Sequence, residues 1–363
     1  SRTSHDPSSR SASANWRPNI DETPKRGTNE PLPGTTSHTG GGAVNVDRRT
    51  IDAATAAVGA AARLTASAQG RLLDGQTLTK TDDSPVTVAD FGAQAVVCSV
   101  LSEALGDIVV VGEEDPDDLA EQSGLLDGAR SLVAEALDRD VPVAQLLDWV
   151  GLGTGSADGS VYWTLDPIDG TKGFLRGDQY AIALGLVADG EVVLGVLGCP
   201  NYPVGDGERG LMLVAADGVT TEVVGDRRRT ITADDPASLA DARLCESVES
   251  GHSDHGQSVA IADRLGIRSE PYRIDSQCKY AAIARSDAHI YLRLPTRADY
   301  QEKIWDHAAG LAAVERAGGR VTDVDGRPLD FSVGSRLSSN RGVVATSGGY
   351  HDQVVAAVRD VLG

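Results

Sequence analysis

The sequence predicts a layered α/β fold. Three observations carry that expectation. Runs of strand character alternate with runs of helical periodicity along most of the chain. At 363 residues the chain can bury a substantial core, as two domains or two halves sharing an interface. A hydrophobic content of 40% and a charged content of 24% are the ordinary balance of a globular protein, and no internal repeat points to a solenoid.

Residues 1–45 read as a disordered tail, because Ser, Thr, Pro, Gly and Arg dominate and Thr39-Gly40-Gly41-Gly42 closes the stretch. The stretch leans basic, as an organelle transit peptide would, but Asp6, Asp21, Glu22 and Glu30 weigh against that origin. Ala-rich Arg49 to Gln69 reads as a helix stopping at Gly70. Lys80 to Thr87, with Ser84-Pro85, reads as a loop or short edge strand. Asp90 to Leu105 reads as a second helix, with an apolar face of Phe91, Val96, Val97, Val100, Leu101 and Leu105. Ile108-Val109-Val110-Val111 is a short buried strand, with Gly112-Glu113-Glu114-Asp115 at its carboxyl end. Residues 117–160 read as an acidic insert with one helix near 129–138. Val161 to Leu165 is a strand. Ala181 to Val187 and Glu191 to Leu197 form a hairpin around Asp189-Gly190, and Leu211 to Ala215 is a third strand. The linker from Ile231 to Leu239 is the expected boundary, dividing the chain into 46–232 and 233–363. Beyond it the sequence predicts strands at Arg243 to Glu246 and His289 to Leu294. It predicts helices at Gly256 to Leu265, Asp306 to Ala317 and Val354 to Val361.

The net charge of −20 argues against nucleic-acid backbones and anionic membrane surfaces as partners. An anionic small molecule would need local cations, either bound metal or a few Lys and Arg. Cys98, Cys199, Cys245 and Cys278 are far apart and form no CxxC pair, so buried thiols in a reducing compartment are expected rather than zinc or disulfides. No apolar run approaches the ~20 residues of a membrane span, and no signal-peptide core is visible.

The run Trp163-Thr164-Leu165-Asp166-Pro167-Ile168-Asp169-Gly170-Thr171-Lys172-Gly173-Phe174 places two carboxylates three residues apart at a strand end. Pro167 fixes the backbone, so the Ile168 carbonyl and the Asp169 carboxylate can turn toward one point. Hard divalent cations take such oxygen ligands, and backbone N–H groups after the turn can hold a phosphate oxygen. The bare Asp-Pro-x-Asp-Gly pattern also fits a surface turn, which apolar Trp163, Leu165 and Ile168 make less apt. Glu113-Glu114-Asp115 fits a solvated acidic loop or a second ligand set. Asp306 and Asp90 each open an expected helix, where a carboxylate serves as N-cap or as ligand. Acidic groups on four element ends are what a multi-metal phosphatase site requires.

Three segments resemble the signatures of the lithium-sensitive, magnesium-dependent phosphatases, the superfamily of inositol monophosphatase and fructose-1,6-bisphosphatase. They are Val111-Gly112-Glu113-Glu114, Asp166-Pro167-Ile168-Asp169-Gly170-Thr171 and Trp305-Asp306-His307-Ala308-Ala309-Gly310. The resemblance covers roughly residues 48 to 360 and implies a layered αβαβα sandwich. Further segments resemble the 3'(2'),5'-bisphosphate nucleotidase branch: Ser84-Pro85-Val86-Thr87-Val88-Ala89-Asp90, Lys172-Gly173-Phe174-Leu175-Arg176-Gly177, Ser247 to Ser253, Asp275 to Tyr280, Tyr291 to Pro295, and Tyr300 to Asp306.

Carried over by position, the resemblance implies that Glu113, Asp166, Asp169, Asp306 and the Ile168 carbonyl hold two or three Mg²⁺ ions. It implies that Asp90 and Thr171 form a proton relay, and that Gly170, Thr171 and Lys172 hold the 3'-phosphate. His252, Ser276, Lys279 and Arg293 would contact the rest of the nucleotide. The implied reaction is hydrolysis of adenosine 3',5'-bisphosphate to AMP and phosphate, clearing a by-product of sulfate activation. 3'-Phosphoadenylyl sulfate is an expected second substrate, and inhibition by Li⁺ and Na⁺ is implied. The alternatives are an inositol polyphosphate 1-phosphatase and a catalytically silent nucleotide sensor. A soluble intracellular monomer is expected, cytoplasmic or in an organelle. Asp115-Pro116 departs from the family pattern, which has a small residue there.

Overall fold

The computed structural model describes residues 46–74, 85–248, 255–295, 297 and 300–363. The expected disordered tail and His252 lie outside the described residues, as does most of the expected loop at Lys80 to Thr87.

Helix α1 (Arg48–Leu73) is capped by Asp47, whose carboxylate accepts the Thr50 N–H at 2.7 Å. Ala54, Val58, Ala61, Leu64 and Ala68 give it a buried face narrow enough for close packing. Helix α2 (Pro85–Leu105) begins five residues before the expected start at Asp90, because Pro85 suits a first helical position, where no N–H is needed. Asp90 therefore sits in the second turn and is no N-cap. Residues Thr87–Leu105 are long and apolar enough by composition to cross a membrane, contrary to the sequence expectation. They are instead mostly buried, with Val88, Phe91, Val96, Val97 and Leu101 packed into the protein core.

Strand β1 (Val110–Gly112) is followed by three helices where one was expected: α3 (Pro116–Ala120), α4 (Ser123–Leu137) and α5 (Val143–Gly151). Asp115 caps α3 and Pro116 opens it, so the departure at 115–116 starts a helix and leaves Glu113 in place. The first sheet continues with β2 (Val161–Asp169), after which comes the short helix α6 (Thr171–Arg176). It is completed by β3 (Ala181–Ala188), β4 (Glu191–Gly205), β5 (Glu208–Ala216), β6 (Val219–Val224) and β7 (Arg227–Ile231). Its seven strands lie in chain order, with β1 parallel to β2 and every other pair antiparallel. Strands β6 and β7 were not expected. Thr220-Thr221-Glu222 and Arg227-Arg228-Arg229 lack the apolar alternation that marks a half-buried strand.

The second half begins with β8 (Leu244–Glu246), α7 (His255–Leu265), β9 (Tyr272–Arg273), α8 (Cys278–Ala284) and β10 (Ile290–Arg293). It ends with α9 (Ala308–Arg316), β11 (Arg320–Thr322), β12 (Val343–Thr346) and α10 (His351–Leu362). The second sheet has the order β11-β12-β10-β8-β9.

Three apolar cores separate five layers. Helices α1, α2, α4 and α5 cover one face of the first sheet through Trp163, Leu165, Ile182, Leu184 and Val196. The other face packs on α8 and α9, which also meet the inner face of the second sheet at Cys245, Tyr291, Val343 and Ala345. Helices α7 and α10 cover its outer face through Leu244, Ile290, Leu292 and Val344. The order is the expected αβαβα sandwich. The first sheet ends at Ile231 and the second begins at Leu244, on either side of the proposed division at 232/233. All four cysteines are buried and free.

Candidate active site

Parallel pairing of β1 with β2 sets Gly112 opposite Leu165, so Glu113 and Asp166 leave neighbouring strands at the same carboxyl end. Strand β2 pairs with β3 through Asp166–Ala183, then slips and resumes at Asp169–Ala181. The slip falls at Pro167, which has no N–H to give the ladder, and forms a bulge. Gly170 then takes φ 92°, a left-handed conformation that ends the strand and starts α6. A Cβ at Gly170 would lie 2.7 Å from Ser276 Cβ, so only glycine lets the two loops meet.

The facing side comes from the second half. The backbone N–H of Gln277 donates to Asp169 Oδ2. The Gln277 side chain donates to the Trp305 carbonyl at 2.9 Å and accepts the Gly310 N–H at 3.2 Å. Gln277 thus ties Asp169 to the 3₁₀ turn Ile304–Asp306 and to the first turn of α9. Asp306 lies in that 3₁₀ turn and is not the expected N-cap. His307 holds the cap position of α9 and makes no side-chain cap bond.

Asp90, Glu113, Asp166, Asp169 and Asp306 converge. Burial, then repulsion by Glu113, Asp169, Asp306 and Asp90, pushes the Asp166 carboxyl far up. Burial and Asp306 push Glu113 up, while burial, Glu114 and Glu113 push Asp90 well up. Asp169 is raised by burial and Asp306, against the pull of Lys279, Arg293 and the Gln277 N–H. Asp166 is 2% exposed, and its Oδ1 has no hydrogen-bond partner among the described residues. One orphaned oxygen among mutually repelling carboxylates at one point fits a hard divalent cation, whose charge would offset the repulsion.

A cleft of about 620 Å³ opens beside this floor, lined among others by Asp169, Thr171, Lys172, Ser276, Lys279 and Arg293. Lys279, 8% exposed, donates to Ser247 Oγ at 3.1 Å and lies 5.4 Å from the Tyr291 ring centre. Burial pushes its ammonium below the usual lysine range. Arg293 reaches Glu302 at 2.7 Å and Asp306 at 3.4 Å. Glu302 in turn contacts His307 Nε2 at 3.3 Å, and His307 Nδ1 meets the Tyr280 hydroxyl at 2.8 Å. Glu302, Asp306 and His307 cluster closely enough to hold a metal. The Arg293 guanidinium already neutralises Glu302, so this group reads as an internal ion network that shares Asp306 with the acidic floor.

The structure therefore brings Glu113, Asp166, Asp169 and Asp306 together, with Asp90 beside Glu113 and Glu114. Buried Ile168 lies between the two aspartates of β2. Gly170, Thr171, Lys172, Ser276, Lys279 and Arg293 line the cleft. No hydrogen bond joins Asp90 to Thr171 among the described residues. Residue reasoning gave no role to Gln277, Glu302 or Gln94. The first two stand inside quoted segments, so their positions, though not their contacts, were signalled.

The sequence profile of the inositol monophosphatase family matches residues 46–362, and the chain belongs to that family. Among curated relatives, a 3'(2'),5'-bisphosphate nucleotidase of Emericella nidulans is 41% identical over 321 residues, 79% of this chain and 91% of the relative. The enzyme of that name from Schizosaccharomyces pombe is 42% identical over 305 residues, covering 78% of this chain and 86% of the relative. A 3',5'-bisphosphate nucleotidase of Arabidopsis thaliana is 41% identical, over 85% of this chain and 95% of its own length. Of solved structures, an inositol monophosphatase from Anabaena (Nostoc) sp. PCC 7120 superposes with a TM-score of 0.56 at 22% identity, covering 85% of this chain and 95% of that one. That likeness shows the shared fold.

Proposed function

We propose that this chain is a magnesium-dependent 3'(2'),5'-bisphosphate nucleotidase that converts adenosine 3',5'-bisphosphate to AMP and phosphate. One observation carries the reading: an acidic floor of Asp90, Glu113, Asp166, Asp169 and Asp306 adjoins a wall bearing Lys279 and Arg293. A substrate with two phosphates meets both poles, one at the floor and one at the wall. Relatives at 41–42% identity bear the name of bisphosphate nucleotidases, which supports a substrate with two phosphates.

Glu113, Asp166, Asp169, Asp306 and the Ile168 carbonyl are the proposed ligands of two or three Mg²⁺ ions. When bound, such ions lower the pKa of a water and neutralise charge on the phosphoryl and leaving oxygens. Gly170, Thr171 and Lys172 hold the 3'-phosphate. The Thr171 hydroxyl takes a proton from the attacking water as it passes its own to Asp90. Ser276, Lys279 and Arg293 fix the remainder of the nucleotide, with Glu302 and Asp306 holding the guanidinium in place. The same contacts suit 3'-phosphoadenylyl sulfate as a second substrate, which would place the enzyme in sulfur metabolism. Every residue named comes from one chain, so the reading requires only a monomer.

The test is phosphate release from adenosine 3',5'-bisphosphate, 3'-phosphoadenylyl sulfate and inositol 1,4-bisphosphate, with and without Mg²⁺ and Li⁺. Asp169→Asn and Asp306→Ala should nearly abolish turnover while the chain stays folded by circular dichroism. Wild-type-like turnover in either variant rejects the ligand assignment. Preference for the inositol bisphosphate would move the reading to a polyphosphate 1-phosphatase.

A further inference from the structure

Glu113 leaves a strand of only three residues and stands on a loop, where a ligand ordinarily gains little rigidity from its own backbone. Gln94 supplies what the strand does not. It lies four residues after Asp90 on α2, on the same helical face, and is fully buried. Its Nε2 donates to the Glu114 carbonyl at 2.7 Å and to the Val150 carbonyl at 3.0 Å. Its Oε1 accepts the Glu114 N–H at 3.1 Å. One amide therefore grips both backbone groups of the residue next to Glu113 and ties them to the carboxyl end of α5.

The space for that amide is made by two glycines from separate elements. A Cβ at Gly112 would stand 2.5 Å from Gln94 Oε1, and one at Gly153 would collide with Gln94 Nε2. The loop is closed further by the Gly112 N–H, which donates to the Gly153 carbonyl at 2.7 Å. Neither Gly112 nor Gly153 has a positive φ, so backbone conformation does not demand glycine at either position. The room they leave is occupied by Gln94.

We propose that Gln94 is a positioning residue that sets the distance between Asp90 and Glu113 by clamping the Glu114 peptide to helix α2. The proposal rests on the reading of Glu113 as a cation ligand. It extends that reading from the carboxylates to the amide that holds one of them. Amide clamps of this kind act on ligand geometry rather than on substrate, and loss of an outer partner typically costs about 10–100-fold in metal affinity.

The experiment uses the full chain and Mn²⁺ as the probe, its binding followed by electron paramagnetic resonance without nucleotide. Gln94→Met keeps the volume and unbranched shape and removes all three hydrogen bonds. It should weaken Mn²⁺ binding about tenfold or more and raise the half-saturating Mg²⁺ for turnover in parallel. KM for adenosine 3',5'-bisphosphate at saturating Mg²⁺ should stay close to wild type. Gly153→Ala, which leaves Gln94 present but displaces its amide, should do the same, and it decides the matter if Gln94→Met does not fold. Thr346→Val removes a buried hydrogen bond to His351 Nδ1, made at 2.9 Å between β12 and α10, and serves as the stability control. If the folded Gln94 and Gly153 variants bind Mn²⁺ as the control does, the clamp is structural only and the proposal is overturned. If the wild type binds no Mn²⁺, or Glu113→Gln leaves its affinity unchanged, the ligand reading itself has failed instead.

Discussion

Gly195→Ala tests whether the packing of α9 on the first sheet sets the position of Asp306. In a strand interior, alanine ordinarily stabilises relative to glycine by about 0.5–1 kcal/mol, because it restricts the unfolded chain. Here the sign should reverse. A Cβ at Gly195 would stand 2.6 Å from Ala312 Cβ and 2.9 Å from the Ala309 carbonyl oxygen, both on α9. Ordinary contacts run at about 3.5–4.0 Å, so helix and strand must separate by roughly 1 Å. Overpacking of that size costs about 1–3 kcal/mol. Asp306 precedes the first residue of α9 by two positions, so the shift passes into the acidic floor, where ~1 Å of misplacement lowers turnover about 100-fold. The assays are urea denaturation and kcat measured well below the unfolding midpoint. Ala312→Gly in the same chain removes the nearest clash and should recover part of both losses. A Gly195→Ala protein at least as stable as wild type refutes the packing argument. A destabilised protein with full turnover refutes the link from α9 to Asp306.

Two further outcomes follow from buried charges. Lys279→Met should raise KM for adenosine 3',5'-bisphosphate about 10–100-fold, the equivalent of one charge-assisted hydrogen bond, with a smaller change in kcat. Steady-state kinetics checks this, and an unchanged KM removes Lys279 from the nucleotide site. His351 is 1% exposed and bonded to Thr322 and Thr346, each at 2.9 Å. Burial, aided by Arg320 and opposed by Asp352, pushes its pKa down from 6.5 to about 4. Its folded pKa lies below the unfolded value, so the stabilisation is complete above pH 6.5 and is lost as pH falls toward 4. At pH 5 linkage gives about 2 kcal/mol. His351→Gln should flatten the fall in stability between pH 7.5 and 5 by that amount, and equal slopes for both proteins would exclude it.

The acidic floor was legible in the sequence because the chemistry demands residue identity at fixed spacing. Asp-Pro-Ile-Asp-Gly encodes a bulge, two carboxylates of the floor and a left-handed turn in five letters. The strands β6 and β7 were not legible, since their polar residues carry no period-2 signal. Helix α8 was missed for the opposite reason. Cys278 through Ala284 are all buried, so no amphipathic stripe distinguishes it from a strand. The start of α2 was misread because Pro85 resembles a breaker as much as a first helical residue.

What no local pattern reveals is the seam between the two halves. The acidic floor is built mainly on the first sheet, whereas Ser276, Lys279 and Arg293 belong to the second half. Their relation depends on Gln277, whose backbone holds Asp169 while its side chain holds Trp305 and Gly310. It depends equally on Glu302, which compensates a guanidinium nine residues earlier in the chain. Both residues look like ordinary polar positions in sequence. Their importance comes from burial, because an unpaired amide or carboxylate there would cost several times what a solvated one does. The carboxylates of the acidic floor can be read from the sequence, whereas the amides of Gln94 and Gln277 that tie their supporting elements together cannot. Each amide bonds the backbone of a neighbouring element, so its role becomes visible only once the chain is folded.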